Sequence, residues 1–416
     1  MFRIILAALT LISATSATVA AQSNSPLTME EAVAIALSAG DPSVRQFEEK
    51  SLALEDRAVA DKQLPDPKVK LSATNFPVDT FRFGQEPMTQ AQVSLQQAFP
   101  RGKTLHYRGE RRDAEAEAQR ALQKLQETQI ALDTKTTWLE LYYWRGAQGK
   151  VSESRQAVHE LSDIARSIFS TGRRSAQDVL RADLELTVLD DRLVEIERQI
   201  DISRANLARL IGPDESPRPL ATNLPTHSKL RDRAALREQL VRHPSIDAID
   251  SEIDARKSDI DIARQQYKPG FTFNGGYGVR GGSRPDFATV GVTFDVPIFT
   301  GKKQDRNVSA ARRDRSSVEM KRKARLLELD RQLAGAYADQ ARLEQRITLY
   351  EKSVLLRASE TTQATLTAYQ NDLSDFAELV RARLAELDTE LTLLRLRVDR
   401  AQVMAKLDYL AGENNE

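Results

Sequence analysis

A helical pattern that does not stop constrains this chain more than any other feature. No proline falls between Thr104 and Ile168, and Ala157, Leu161, Ile164 and Ile168 recur there at helical spacing. Gly146 and Gly149 are weak points within it. At 1.5 Å per residue such a helix is roughly 100 Å long. A compact domain has no use for that length; the element is a span. A later stretch behaves the same way. Leu384, Leu387, Leu391, Leu394, Val398, Ala401 and Ala405 alternate steps of three and four, the seam of a coiled coil. Leu343, Ile347, Tyr350 and Val354 supply its partner. A chain with 29% charged and 6% aromatic residues suits long exposed helices with narrow apolar seams.

The helices belong to a repeat. "FSTGRRSAQDVLRADLEL" (169–186) returns as "YQNDLSDFAELVRARLAEL" (369–387) at an offset of about 200. Asp41-Pro42-Ser43-Val44 returns as His243-Pro244-Ser245-Ile246, and Gly102-Lys103 as Gly301-Lys302. Each half reads helix, strand, strand, long helix, turn, long helix. The expected layout is a signal peptide at 1–21, a first repeat at 22–211, a Pro-rich linker at 212–229 and a second repeat at 230–416. Arg3, the apolar run from Ile4 to Val19 and the small-x-small site Val19-Ala20-Ala21 predict export. Cysteine is absent, which excludes disulfides, thiolate chemistry and a lipidated N-terminal Cys. Sixty basic and sixty acidic residues cancel, so no global field favours nucleic acid.

Four stretches alternate with period two: 68–76, 90–99, 271–279 and 287–296. Val93 and Leu95 fall on one face of the second, Gln90, Gln92, Ser94 and Gln96 on the other. Phe271, Phe273, Tyr277 and Val279 likewise oppose Thr272, Asn274, Gly276 and Gly278. Segments of nine or ten residues, apolar on one side and polar or small on the other, have the length and pattern of transmembrane barrel strands. Four cannot close a barrel, which needs about eight with every edge paired. The chain must therefore oligomerise, and two, three or four copies each satisfy the spacing.

The duplicated unit resembles the TolC-type outer-membrane efflux factors over essentially the whole mature chain. The resemblance is carried by "LTMEEAVAIALSAGDPSV" (27–44), "LPDPKVKL" (64–71), "FPRGK" (99–103), "PIFTGKK" (297–303) and the two turns. Residues 75–102 look most like the heavy-metal branch. The expected fold class is mainly α with a small β part: four strands per chain joining a shared transmembrane β-barrel, and coiled-coil helices forming a periplasmic α-barrel. The resemblance implies a homotrimer in outer-membrane lipid, a periplasmic adaptor (membrane fusion) protein and an inner-membrane pump of the RND type. The function it implies is the exit duct of a tripartite efflux pump for small toxic solutes, heavy-metal cations among them. A protein-secretion duct and a soluble periplasmic coiled-coil scaffold are the alternatives.

The turns near 170–175 and 370–375 then become periplasmic tips. Thr171, Gly172, Arg173, Ser175, Leu373 and Ser374 are the expected adaptor-docking residues. Gly172 permits the positive φ of a tight reversal, and Ser175 with Asp178 forms a capping box. Asp372 stands where Gly172 stands in the first copy. Arg173 and Arg174 in one tip oppose Asp372 and Asp375 in the other, a candidate gate. "NGGYGVRGG" (274–282) alternates its glycines inside a strand and so lacks the context of a phosphate loop. His106, His159, His227 and His243 are scattered. No cofactor, metal site or enzymatic activity is expected.

Overall fold

The computed structural model describes residues 25–170, 176–225, 230–371 and 373–412. The expected signal peptide lies outside them. In chain order, α1 (Met29–Ser38) and α2 (Pro42–Asp61) precede β1 (Lys68–Thr74) and β2 (Gln90–Phe99). Then come α3 (Thr104–Ser170) and α4 (Ala176–Ile211). The second half holds α5 (Arg233–Gln239), α6 (Pro244–Gln265), β3 (Gly270–Arg280) and β4 (Phe287–Asp295). It closes with α7 (Gln304–Leu349), a π turn (Tyr350–Val354), α8 (Leu355–Gln370) and α9 (Phe376–Ala411).

The chain is mostly helical, and its strands form one antiparallel sheet in the order β1-β2-β3-β4. Because β2 leads into α3 and β4 into α7, both long helices hang from one end of the sheet. α3 has 67 residues and is therefore about 100 Å long. Near the sheet it lies between α2 and α6, with α7 beyond α6. Farther down, α4, α3, α9 and α7–α8 stand side by side in that order. The molecule is a single-layer wall four helices wide.

A wall has little interior, and the core gathers where something crosses it. At mid-height, Leu27 forms a parallel bridge with Leu220: Leu27 N–H donates to the Pro219 carbonyl (2.8 Å) and Ala221 N–H to the Leu27 carbonyl (3.1 Å). Trp138 of α3, fully buried, donates its indole N–H to that same Leu27 carbonyl at 3.2 Å and stacks on Tyr142. Tyr142 donates its hydroxyl hydrogen to the Thr222 carbonyl (2.9 Å), and Arg218 pairs with Glu31 (2.9 Å). The Pro-rich segment is thus strapped across the wall as a belt, with α1 beneath it.

The repeat is visible in its caps. Asp41 caps α2, its carboxylate accepting from Ser43 N–H (2.7 Å) with Pro42 opening the helix. The Ser43 side chain beside it is the main reason its carboxyl sits below the usual range, with the backbone bond adding to the effect. His243 does the same for α6: Nδ1 accepts from Ser245 N–H (3.2 Å), and Pro244 follows. His243 is buried against the Tyr409 ring, and burial pushes its pKa down to about 4. The ring is therefore neutral at ordinary pH, as an acceptor must be.

Three seams differ from expectation. In α3, Val158, Leu161 and Ala165 are buried while Ile164 is exposed, because the helix meets neighbours on two sides rather than one. α9 likewise buries a second stripe, Leu393 and Leu396, against Ile347. Leu355 rather than Val354 joins Leu343 and Tyr350 in that cluster. The step from Tyr350 to Leu355 spans five residues, which an α-helix cannot keep on one face; the π turn absorbs it.

Candidate functional site

The strand register puts most of the apolar side chains of the sheet on one face, Ala98 and Phe287 excepted. Val69 pairs with Leu95, Leu95 with Gly275 and Gly275 with Val290. Leu71, Val93, Tyr277 and Ala288 form the next row. These side chains are bare: Leu71 is 78% exposed and Val290 75%. Toward the helical end, Phe99 stacks on Phe271 (ring centroids 4.7 Å) and Phe271 adjoins Phe294 (6.4 Å). An aromatic row bordering an apolar band is how a barrel strand meets the edge of a bilayer. The opposite face carries Gln90, Gln92, Ser94 and Gln96 on β2, flanked by Ser72, Lys70, Asn274 and Gly278. Such a sheet separates two solvents, one apolar and one aqueous.

The sheet has two open edges, β1 and β4, so its outer backbone groups await partners. The helical wall also ends in apolar edges. Leu180, Leu184, Val188 and Val194 are exposed on α4 at one margin, and Leu327, Leu349 and Leu356 at the other. Exposed apolar residues of matching kind on two opposite margins suit side-by-side assembly of copies.

Where sheet meets helix, the chain turns sharply at Gly102, whose φ is +51°. A Cβ there would lie 2.4 Å from Gln265 Oε1, so a larger residue would have to displace that side chain as well as hold a left-handed φ, which favours glycine. Arg101 donates to the Gln266 carbonyl (2.9 Å), and Lys103 N–H to Gln265 Oε1 (3.1 Å), locking the first strand pair to the second. This is the structural content of the "FPRGK" stretch.

The distal ends hold the expected docking and gate residues. Thr171, Gly172, Arg173, Arg174, Ser175 and Asp372 lie outside the described residues. Leu373 and Asp375 do not. Leu373 N–H donates to the Ala368 carbonyl (2.8 Å), closing α8, while its side chain is 82% exposed. Asp375 caps α9, accepting from Glu378 N–H at 2.7 Å. Behind the reversal, Tyr369 and Phe376 meet edge to face (5.7 Å) and pack against Leu161 and Ala165 of the first hairpin. Ser374 sits between the two ordered features, in the reversal itself.

Among the described residues no group of three or more His, Asp or Glu is placed to hold a metal ion. His106 faces Glu110 (3.2 Å) and His159 faces Asp163 (3.3 Å), both on the exposed side of α3; His227 lies outside the described residues. No described helix is long and apolar enough to cross a membrane.

Residues 235–413 match the family of outer membrane efflux proteins. No curated protein matches the chain in sequence. Its fold is found in solved bacterial channels. The outer membrane protein VceC of Vibrio cholerae is 17% identical, covers 92% of this chain and 96% of its own, and superposes with a TM-score of 0.77. The outer membrane channel CmeC of Campylobacter jejuni is 11% identical over 92% and 85%, with a TM-score of 0.76. The open state of the outer membrane channel MtrE of Neisseria gonorrhoeae is 17% identical over 92% and 88%, at 0.74. At these identities the likeness establishes the fold, that of outer-membrane efflux channels.

Proposed function

We propose that this chain is one protomer of an outer-membrane exit duct, exported to the periplasm and assembled as a homotrimer. Three copies bring twelve strands to one closed barrel and four helices each to a tunnel below it. The bare apolar face of a sheet with two open edges carries this reading. In water that face is a liability; in a bilayer, with each edge paired to a neighbouring copy, it is satisfied. The duct works with a periplasmic adaptor and an inner-membrane pump of the RND type, and releases small toxic solutes. The likeness of residues 75–102 to the heavy-metal branch makes metal cations one candidate cargo. The protein has no chemistry of its own to perform; it supplies a path.

The test is fractionation followed by electrophoresis without boiling. The expected result is an outer-membrane species that runs as a trimer until heated. Recovery as a monomer in the soluble periplasmic extract would overturn the reading.

The adaptor docks at the tips, on Thr171, Gly172, Arg173 and Ser175 in one hairpin and on Leu373 and Ser374 in the other. A bare leucine at the end of a hairpin supports this. Arg173 and Arg174 face Asp372 and Asp375 of adjacent hairpins and hold the tips together. Each exposed pair contributes only about 0–1 kcal/mol, so the gate is the ring of pairs, not any one. Asp375 has two roles that substitution separates. Asp375→Ala removes cap and charge and is expected to cost about 0.5–2 kcal/mol in the first turn of α9. Asp375→Asn keeps a capping acceptor and removes only charge. Wider single-channel conductance in both variants, with fast amide exchange at 376–379 in Ala alone, is the expected outcome. A normal conductance in Asp375→Asn would leave this residue a cap and nothing more.

A further inference from the structure

We propose that the duct selects for negatively charged solutes, an inference that rests on the duct reading and adds the charge class of its cargo. Two separate surfaces carry it. On the polar face of the sheet, the charged residues are Lys68, Lys70, Arg280 and Asp295. Asp295 is held by Arg101 (3.5 Å), and Arg280 is engaged at the far rim, where its backbone N–H donates to Asp286 (3.0 Å) and its guanidinium stacks on Phe287. Lys68 and Lys70 are exposed and have no carboxylate partner among the described residues. They stand at the helical end of β1, where solute passing up from the tunnel enters the barrel.

The second surface is a groove of about 820 Å³ between α3, α7 and α9. Its lining residues lie on the side of these helices opposite Tyr142, Tyr337 and Arg400, which face the linker. The belt occupies one face of the wall at this height, so the tunnel runs along the other. Arg325, Arg342, Arg346 and Lys406 line the groove without a carboxylate partner, and Asp339 is the one acid there not already paired. Both levels of the path therefore present an excess of fixed positive charge. Repeated around a closed ring, such residues concentrate anions and repel cations. The cargo class that fits is an anionic organic solute or an anionic complex rather than a bare metal cation.

The experiment is the zero-current potential of the purified full-length protein in a planar bilayer under a tenfold KCl gradient at low salt, where screening is weakest. Chloride-selective potentials are expected for the wild type and for Lys68→Arg/Lys70→Arg. Lys68→Gln/Lys70→Gln should move the potential toward zero, and Arg342→Gln/Arg346→Gln should do so independently. A cation-selective wild type, or a potential unmoved in both Gln pairs, overturns the proposal while leaving the duct intact. Failure of the wild type to form channels would sink the duct reading and this inference with it.

Discussion

Arginine at position 93 is expected to abolish most assembled protein, while arginine at position 92 is tolerated. The two residues are neighbours in sequence on opposite faces of β2. Val93 stands in the apolar row between Leu71 and Tyr277, and Gln92 in the polar row between Ser72 and Gly278. A charge on the lipid face of a barrel costs on the order of 2–4 kcal/mol near the bilayer midplane. In the proposed trimer each copy bears the penalty, so the assembly carries it threefold. The amount of oligomer seen without boiling in outer-membrane fractions is the measurement. Equal recovery of Val93→Arg and Gln92→Arg would mean that the apolar face does not meet lipid.

Trp138→Ala should be the most damaging change in the helical wall. The ring is fully buried and is the largest such side chain in the core. Truncating a buried Trp costs about 3–5 kcal/mol through lost contacts and the cavity left behind. Here it also leaves the Leu27 carbonyl without its indole donor, so the belt loosens. Trp138→Phe refills most of the space and should lose closer to 1 kcal/mol, the worth of a typical hydrogen bond. Denaturant midpoints of the detergent-solubilised protein report both, and an unchanged midpoint in Trp138→Ala would show that the belt adds nothing to stability. Proteolysis within 212–225 should rise in the alanine variant only.

The strands and long helices were legible because each faces two environments at once. Gln90 to Leu95 must alternate if one side meets lipid and the other water, and a helix spanning a compartment must run without proline. These are local consequences of global geometry, so they are written in the local pattern. What could not be read depends on neighbours distant in sequence. That α9 buries Leu393 and Leu396 as well as Leu391 and Val398 follows from its place between α3 and α7. The proline content of 212–229 marks it only as a linker between the repeats, yet Pro219 and Leu220 are half of a bridge whose other half is Leu27. His243 looked like one more scattered histidine. Its alignment with Asp41 was the available signal that it is a cap. At the site, the two faces of the sheet were legible residue by residue. Asp375 was legible only as a charge, since its bond to Glu378 N–H needs the start of α9 to be known.

The π turn at Tyr350–Val354 has a consequence for symmetry. The helices α3 and α7–α8 have equal lengths, yet among the described residues only the second hairpin contains this wider turn, which takes up one residue more per revolution than its α-helical neighbours. Beyond it the side chains are rotated back by about 100°. Leu161 and Ala165 of α3 turn toward the hairpin interior, whereas in α8 the inward positions are Thr362, bonded to the Ala382 carbonyl (3.1 Å), and Leu366. The halves are one residue out of phase, like the two scales of a vernier. A ring of such chains alternates two unlike ridges around its circumference, so a partner touching every hairpin meets two kinds of groove and needs either two binding modes or half as many contacts.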